Sequence, residues 1–233
     1  MRRIVRACVT TLAAAFVAHA TAACAQQPAQ PPRSAPRPAT APGTPASVSS
    51  DTNATGLIPA GLGTLRQDEV SLRLQLPDVL VRLIPMDEAV IRTLSADSYR
   101  ALRELVESRR PAITRLAQQR GLQRTNIWYV SFYGLAPDAR FSPLELTITS
   151  AGRDFRPVET IALSAGFGEQ RVQPRETQSA LYLFEEGIEL NQPITVALGT
   201  ERNSSWATIL RDVERERALI RSRAAQSRPG TTP

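Results

Sequence analysis

The sequence predicts an α+β fold, in which an antiparallel β-sandwich is preceded by a long helix and followed by an amphipathic C-terminal helix. Three observations support this prediction. Apolar residues recur at helical spacing near the middle of the chain and again near its C-terminal end. Between these stretches, short segments rich in β-branched residues recur at about 8 to 12 residues with turn residues between them, as in sandwiches.

Two strands are predicted at the start of the folded region. Apolar and polar residues alternate along residues 70–76, which indicates a strand with one buried and one solvent-facing side. Pro77 and Asp78 favour a turn, and residues 79–84 predict a second strand that ends before Pro85. Residues 87–94 fit either a short helix or a third strand.

A long helix follows, with Ser95 as its predicted N-cap and Gly121 at its end. Its apolar residues recur at steps of three, four and seven: Tyr99, Leu102, Leu105, Val106, Ile113 and Leu116. One face of the helix is therefore expected to pack on the core. Pro111 falls inside the run, so we expect the helix either to kink there or to break into two.

The predicted sandwich begins after this helix. Residues 126–135 are aromatic and β-branched on both faces, which predicts a central strand covered on both sides. Further strands, with a hairpin turn at 150–153, are predicted at residues 144–149, 154–156, 158–163, 179–184 and 194–198. Residues 203–205 then predict the cap of a C-terminal helix, whose apolar residues are Trp206, Ile209, Leu210, Val213 and Ile220.

Residues 144–198 resemble the immunoglobulin-like accessory domains of bacterial secreted proteins and lipoproteins. The resemblance rests on an alternating first strand, the Gly152-Arg153-Asp154-Phe155-Arg156-Pro157 turn and the Tyr182-Leu183-Phe184 strand, and it covers about a quarter of the chain. The paired cysteines of antibody domains are absent, and no catalytic or ligand motif accompanies the pattern. By analogy of fold, the resemblance implies an immunoglobulin-like β-sandwich that serves as a binding or structural module.

Residues 1–25 predict a cleaved secretory signal peptide. Three arginines precede an apolar stretch, and Ala23 and Ala25 are small residues at the two positions that a signal peptidase probes. Cleavage after Ala25 predicts an exported protein, which is periplasmic, located in the outer envelope or secreted. Cys24 supports an alternative, because residues 21–24 loosely resemble a lipobox, and lipidation of Cys24 would tether the protein to a membrane.

Residues 26–64 predict a disordered, Pro-rich linker. Their Ala, Ser, Thr and Gln cannot form a core, and the proline density favours extended polyproline II. We interpret the segment as a spacer, with a passive terminus or a docking ligand for a partner domain as alternatives. A single globular domain is predicted at residues 65–223, and a disordered tail at residues 224–233.

The residue composition excludes many kinds of chemistry. Both cysteines, Cys8 and Cys24, and the single histidine, His19, lie in the predicted signal peptide. The mature domain therefore lacks the residues for Ser-His-Asp or Cys-His catalysis, for His or Cys zinc sites and for disulfides. All 28 basic residues are arginines, which also excludes lysine Schiff-base chemistry. Processing lowers the formal net charge from +6 to +3, so the charge indicates no nucleic-acid partner.

Carboxylate catalysis is the enzyme class that this composition leaves open, because glycoside hydrolysis needs only two suitably spaced acids. The candidates are Glu145, Asp154, Glu159, Glu185 and Glu186. None of them forms a motif, and the strand alternation predicts that Glu145 faces solvent. We therefore assign no catalytic, cofactor-binding or metal-binding residue from the sequence.

Other conspicuous residues have structural interpretations. Residues 166–169 contain two glycines but no following helix pattern, so they predict a turn. Trp128 and Trp206 lie in apolar surroundings and predict core anchors more readily than sugar-stacking platforms. The last helix has acids between its basic residues, which favours a solvated, ion-paired face over a phosphate site; these arginines are Arg211, Arg215, Arg217, Arg221 and Arg223.

Together these features predict a non-enzymatic exported protein, a binding or accessory module on a Pro-rich spacer. An envelope protein or a glycan fits as its partner. Two alternatives remain: a carboxylate-dependent glycan hydrolase, and an assembly factor that docks through its C-terminal helix.

Overall fold

The structure, a computed structural model, describes residues 56–227 of the chain. The predicted signal peptide, residues 26–55 of the predicted linker and residues 228–233 of the predicted tail lie outside the described residues. The described region is α+β, and the strands of its sheets pair antiparallel. The coarse fold class that the sequence predicts is therefore confirmed.

Two strands come first, two helices follow them, and the last helix comes after all the remaining strands. The strands are β1 (Leu72–Gln75), β2 (Val79–Pro85), β3 (Thr125–Gly134), β4 (Ala139–Arg140), β5 (Thr147–Ser150), β6 (Arg153–Phe155), β7 (Glu159–Ala162), β8 (Arg171–Val172), β9 (Thr177–Glu185), β10 (Ile194–Leu198) and β11 (Glu201–Asn203). The helices are α1 (Glu88–Ile91), α2 (Ala96–Gln119) and α3 (Trp206–Gln226). Residues 87–94 thus form a short helix, which Asp87 caps by accepting the N–H of Ala89 at 2.7 Å.

Two main sheets share one hydrophobic core. The larger sheet has the order β1-β2-β3-β9-β7, the smaller one has the order β11-β10-β5-β6, and β4 and β8 form a separate pair. Alternate residues of the larger sheet, such as Val81 and Val130, belong to the same buried cluster as Ile148 and Val196 of the smaller sheet. The sheets also meet at one edge, where the Asn203 amide donates to the Arg73 carbonyl at 2.7 Å.

Helix α2 covers part of the outer face of the larger sheet. Its Ile113 packs with Leu181 and Leu183 of β9 in a second buried cluster. The helix is continuous through Pro111, so it does not break into two there. Ser95 is its N-cap residue, as predicted, although the Ser95 hydroxyl bonds to the Ser98 hydroxyl at 3.0 Å and not to a backbone N–H.

Helix α3 packs its apolar stripe into the same core as the two sheets. Trp206 and Val213 are fully buried, and the Trp206 indole N–H donates to the Leu190 carbonyl at 3.0 Å. The helix extends to Gln226, so residues 224–226 of the predicted disordered tail are helical. The sequence did not predict this last turn because small and polar residues dominate the end of the chain. The alanines there nevertheless favour a helix.

Residues 56–65, which we name the N-terminal strap, pack on the domain although the sequence placed most of them in the linker. Ile58 is buried, and its carbonyl accepts from Arg92 at 3.1 Å. The backbone at position 63 passes so close to Thr93 that only glycine fits there. A Cβ at this position would lie 2.2 Å from the Thr93 carbonyl oxygen. The linker prediction failed here because composition alone cannot show that a few aliphatic residues after a Pro-rich run find a buried site.

Two strand predictions need correction. Residues 143–145 form a turn of 3₁₀-helix, Leu144 is exposed, and the strand begins at Thr147. Pro143 sets this turn, so the alternation of Leu144 with its neighbours does not reflect a strand. The central strand β3 is covered on both sides near Ile127, but its other end is open, with Tyr133 exposed on the outer face.

Candidate functional site

The five candidate carboxylates are dispersed over the domain. Glu145 is exposed on the turn before β5, and Asp154 is an exposed residue of β6 that accepts from the Thr149 hydroxyl at 2.7 Å. Glu186 follows β9 and pairs with Arg124 at 3.2 Å. These three acids lie in different parts of the fold, and each is exposed.

Glu159 and Glu185 are the two candidate carboxylates that strand register places on the same face of the larger sheet. Glu159 of β7 lies opposite Leu183 of β9, which makes Glu185 its diagonal neighbour. Arg120 donates to Glu159 at 2.8 Å, and this hydrogen bond lowers the pKa of the Glu159 carboxyl below its usual value. A general acid for glycoside hydrolysis needs a raised pKa, so the environment of Glu159 favours an ion pair that joins α2 to β7.

Two arginines of α3 form hydrogen bonds with backbone carbonyls outside the helix. Arg217 donates to the Ala89 carbonyl at 2.8 Å, and Arg223 donates to the Leu62 carbonyl at 2.8 Å and to Glu216 at 2.7 Å. Arg215 pairs with Asp212 at 2.7 Å on the exposed side. The predicted ion pairs are confirmed, with Glu214 as the partner of Arg217. The Arg217 side chain is only 16% exposed, so the prediction of a solvated face is wrong at this residue.

The remaining sequence candidates have structural roles. Trp128 and Trp206 are fully buried, which confirms them as core anchors. Residues 165–169 form a turn of 3₁₀-helix whose Phe167 packs against Phe141 at a centroid distance of 5.4 Å. The apolar stripe of α3 is buried within its own domain, so a partner docking on this helix would contact its opposite side, where Leu219 is exposed.

The best candidate for a binding surface is the half of the outer sheet face that α2 leaves open. It forms a shallow depression of about 390 Å³. We name it the open sheet face and define it by Arg73, Leu80, Arg82, Tyr129, Ser131, Tyr133 and Thr177, with Asp68 at its rim.

Strand register arranges these side chains in transverse rows. Arg73 of β1 lies opposite Arg82 of β2, and Arg82 lies opposite Ser131 of β3. In the next row, Leu80 lies opposite Tyr133. Two arginines are thus cross-strand neighbours in one row, and a tyrosine lies in the next row on the same face of the sheet.

Asp68 bridges the two arginines from the turn before β1. Its Oδ1 atom lies 2.8 Å from Arg82 Nη1 and 3.3 Å from Arg73 Nη2. Like charges directly opposite each other on a sheet destabilise it, and one carboxylate offsets only part of that cost. The site retains one net positive charge, and the Arg73 side chain is 52% exposed.

The sequence reasoning did not select this surface. The alternation along residues 70–76 does predict that Arg73 faces solvent, and this is confirmed by its exposure. The available signal was an arginine at an outward position in each of the first two strands. To predict that these two arginines are neighbours, the register between β1 and β2 must be known, and a single sequence does not specify it.

No family model, curated protein or solved structure matches the chain. Within residues 56–227, no helix combines the length and apolar character that a membrane span requires. The same residues contain no group of three or more His, Cys, Asp or Glu side chains placed to hold a metal ion. The candidate site is therefore defined by the geometry of this chain alone.

Proposed function

We propose that this protein is an exported, non-enzymatic binding module that a Pro-rich linker displays, with the open sheet face as its binding surface. The observation that carries the proposal is the placement of Arg73, Tyr133 and the partly exposed Arg82 on one uncovered sheet surface. Arginine and tyrosine are the side chains that binding surfaces favour, because they combine large contact area with directed hydrogen bonds. Export is supported by the features of residues 1–25.

We also propose that residues 144–198 are immunoglobulin-like. Strands β5 and β6 belong to the smaller sheet, β7 and β9 belong to the larger one, and β10 returns to pair with β5. This crossing between two antiparallel sheets supports the proposal, since Greek-key connections of this kind characterise immunoglobulin sandwiches. An experimental structure in which β5 and β10 lie in different sheets would contradict it.

A capture experiment tests the binding function. The mature chain, residues 26–233, is immobilised and exposed to separated polysaccharide and protein fractions of the producing cell envelope. The wild type and a control with Arg100→Gln and Leu219→Ala, which alter α2 and α3, are expected to retain the same ligand. The double variant Arg82→Gln with Tyr133→Ala is expected to retain about tenfold less, as loss of about 1.4 kcal/mol implies.

Two outcomes oppose this function. Equal retention by the wild type and both variants would remove the open sheet face from the binding surface. Turnover of a glycan by the wild type, lost when one carboxylate is replaced, would make the protein a hydrolase.

Export is tested by the intact mass of the mature protein. Cleavage after Ala25 is expected to give a chain that begins at Gln26. A chain that begins at a lipidated Cys24 would keep the export proposal and add a membrane tether. Retention of residues 1–25 in the mature protein would contradict the signal peptide.

A further inference from the structure

We propose that the open sheet face binds a carboxylate-bearing polysaccharide, with Arg73 and Arg82 holding a sugar carboxylate and Tyr133 packing on a neighbouring sugar ring. This inference rests on the proposed binding function and names its ligand class. It follows from three properties of the surface: the arrangement of its cations, the placement of its tyrosine and the pairing of the β2 and β3 backbone groups within the sheet.

The two arginines already hold a carboxylate in this structure. Asp68 Oδ1 accepts a hydrogen bond from Arg82 at 2.8 Å and lies within ion-pair distance of Arg73, at 3.3 Å. Asp68 lies outside the sheet, and its side chain is 53% exposed. It therefore acts as an internal occupant of a carboxylate site that solvent can reach.

Charge complementarity favours an anionic ligand. The register forces Arg73 and Arg82 into opposite positions on adjacent strands, and Asp68 neutralises only one of these two charges. A second carboxylate completes the neutralisation, either by joining Asp68 or by replacing it. An arginine binds a carboxylate through two parallel N–H donors. It therefore suits a planar anion better than the compact ammonium group of a lysine would.

Tyr133 supplies the second element of a glycan site. Its side chain is 36% exposed and lies one row beyond the arginines, beside Leu80. A tyrosine offers an apolar ring face and a hydroxyl at its tip, which together match the apolar face and hydroxyl rim of a sugar ring. Thr177, the cross-strand neighbour of Tyr133, adds an exposed hydroxyl.

An acidic peptide fits this surface less well than a sugar polymer. Peptides that bind sheets add a strand at an edge, where unpaired backbone N–H and C=O groups accept them. On β2 and β3 those groups are already paired, since each of these strands lies between two neighbours in the sheet. Strand β1 lies at the edge of the sheet, and its Arg73 carbonyl accepts from the Asn203 amide. The backbone N–H and C=O groups of a peptide lying on this face would have only water as hydrogen-bond partners. The hydroxyl groups of a sugar, by contrast, can form hydrogen bonds with the side chains of the face.

The test uses a matched pair of ligands. The mature chain is titrated calorimetrically with a galacturonic acid oligomer and with the same oligomer after methyl esterification, which removes the charge and keeps the sugar rings. The acid form is expected to bind about tenfold more tightly, or about 1.4 kcal/mol, because only the acid offers a charged acceptor to the guanidinium groups. A glutamate oligomer of equal charge serves as the peptide probe and is expected not to bind.

Substitution of Asp68 gives the sharpest prediction. Asp68→Asn removes the internal competitor, so the acid oligomer is expected to bind about three- to tenfold more tightly, as a gain of roughly 1 kcal/mol implies. Arg82→Gln and Tyr133→Ala are each expected to weaken binding about tenfold. Arg100→Gln, which alters an exposed ion pair on α2, is the control and is expected to bind as the wild type does. Thermal unfolding of each variant checks that it is folded.

Three results would overturn the inference: equal affinity for the esterified and acid oligomers, binding of the glutamate oligomer with the same response to the variants, and unchanged or weaker binding by Asp68→Asn. If no oligomer binds while the envelope capture described above still depends on Arg82 and Tyr133, the ligand class is wrong and the binding function stands. If that capture also fails, both proposals are wrong.

Discussion

Glu216 is the residue that joins the N-terminal strap to α3. It is buried, and its Oε1 accepts from the Thr64 N–H and hydroxyl, each at 3.0 Å, and from Arg223 at 2.7 Å. Glu216→Ala leaves these donors without their acceptor. Because Arg223 and Thr64 are partly open to water, we expect the free energy of unfolding to fall by about 2 kcal/mol in urea titrations.

Asp212→Ala is the matched control for this substitution. Asp212 lies on the same helix and pairs with the exposed Arg215, so its loss is expected to change the free energy of unfolding by less than about 0.5 kcal/mol. Similar losses in both variants would indicate a general effect on α3 and would contradict the specific role of the strap.

Tyr182 carries a buried hydroxyl that has no hydrogen-bond partner among the described residues. Tyr182→Phe removes this group and keeps the ring, which packs against Phe167 and Phe184. We expect the free energy of unfolding to stay unchanged or to rise by about 1 kcal/mol. A loss of more than about 1 kcal/mol would mean that the hydroxyl is satisfied in solution, for example by a buried water molecule.

The same hydroxyl predicts a pH dependence. Burial raises the pKa of Tyr182 above its ordinary value. The folded chain therefore retains a proton that the unfolded chain releases above about pH 10, so stability is complete below that pH and is lost above it. We expect the wild type to lose up to about 1.4 kcal/mol more per pH unit above pH 10 than Tyr182→Phe does.

At the scale of elements, α2 continues through a proline that should weaken it. Pro111 has no N–H, so the Glu107 carbonyl lacks its usual helical donor. Pro111 is exposed, and we expect Pro111→Ala to raise the free energy of unfolding by about 1 to 3 kcal/mol in urea titrations. Ser108→Ala, a change of helix propensity on the same helix, should contribute no more than about 0.5 kcal/mol. A loss of stability in Pro111→Ala would contradict this expectation and would show that the proline helps α2 to fit the sheet.

Elements with a strong period were predictable from the sequence, and those defined by distant pairing were not. The alternation along residues 70–76 predicts β1 and its buried face, because the period of two is a local property. Strands β4 and β8 have two residues each and exist only through their mutual pairing, so no local pattern marks them. The failure at Leu144 has a different cause, since its alternation with polar neighbours is real but belongs to a turn set by Pro143.

The candidate site depends on the whole molecule and was the least predictable feature. Its residues come from β1, β2, β3 and β9 and from the turn before β1, and the sequence shows only that Arg73 faces outward. Whether Arg82 and Tyr133 lie beside Arg73 depends on register, and whether they meet solvent depends on how far α2 extends over the sheet. The lack of His and Cys in residues 26–233, by contrast, follows from the sequence without any knowledge of the fold.

The boundary of the domain is also a property of the whole molecule, because the N-terminal strap is held by distant helices. Arg92 holds the Ile58 carbonyl, Arg223 holds the Leu62 carbonyl, and Leu65 donates its N–H to the Thr93 carbonyl at 3.1 Å. We therefore expect a chain of residues 56–233 to match the mature chain within about 1 kcal/mol in urea unfolding. A chain of residues 66–233 should lose about 3 kcal/mol or more, since burial of Ile58 alone contributes about 1.5 to 3 kcal/mol. Ile58→Ala in the 56–233 chain isolates the apolar contribution and should account for much of that loss. Equal stability of the 56–233 and 66–233 chains would instead place the boundary at Leu65 and make the strap dispensable.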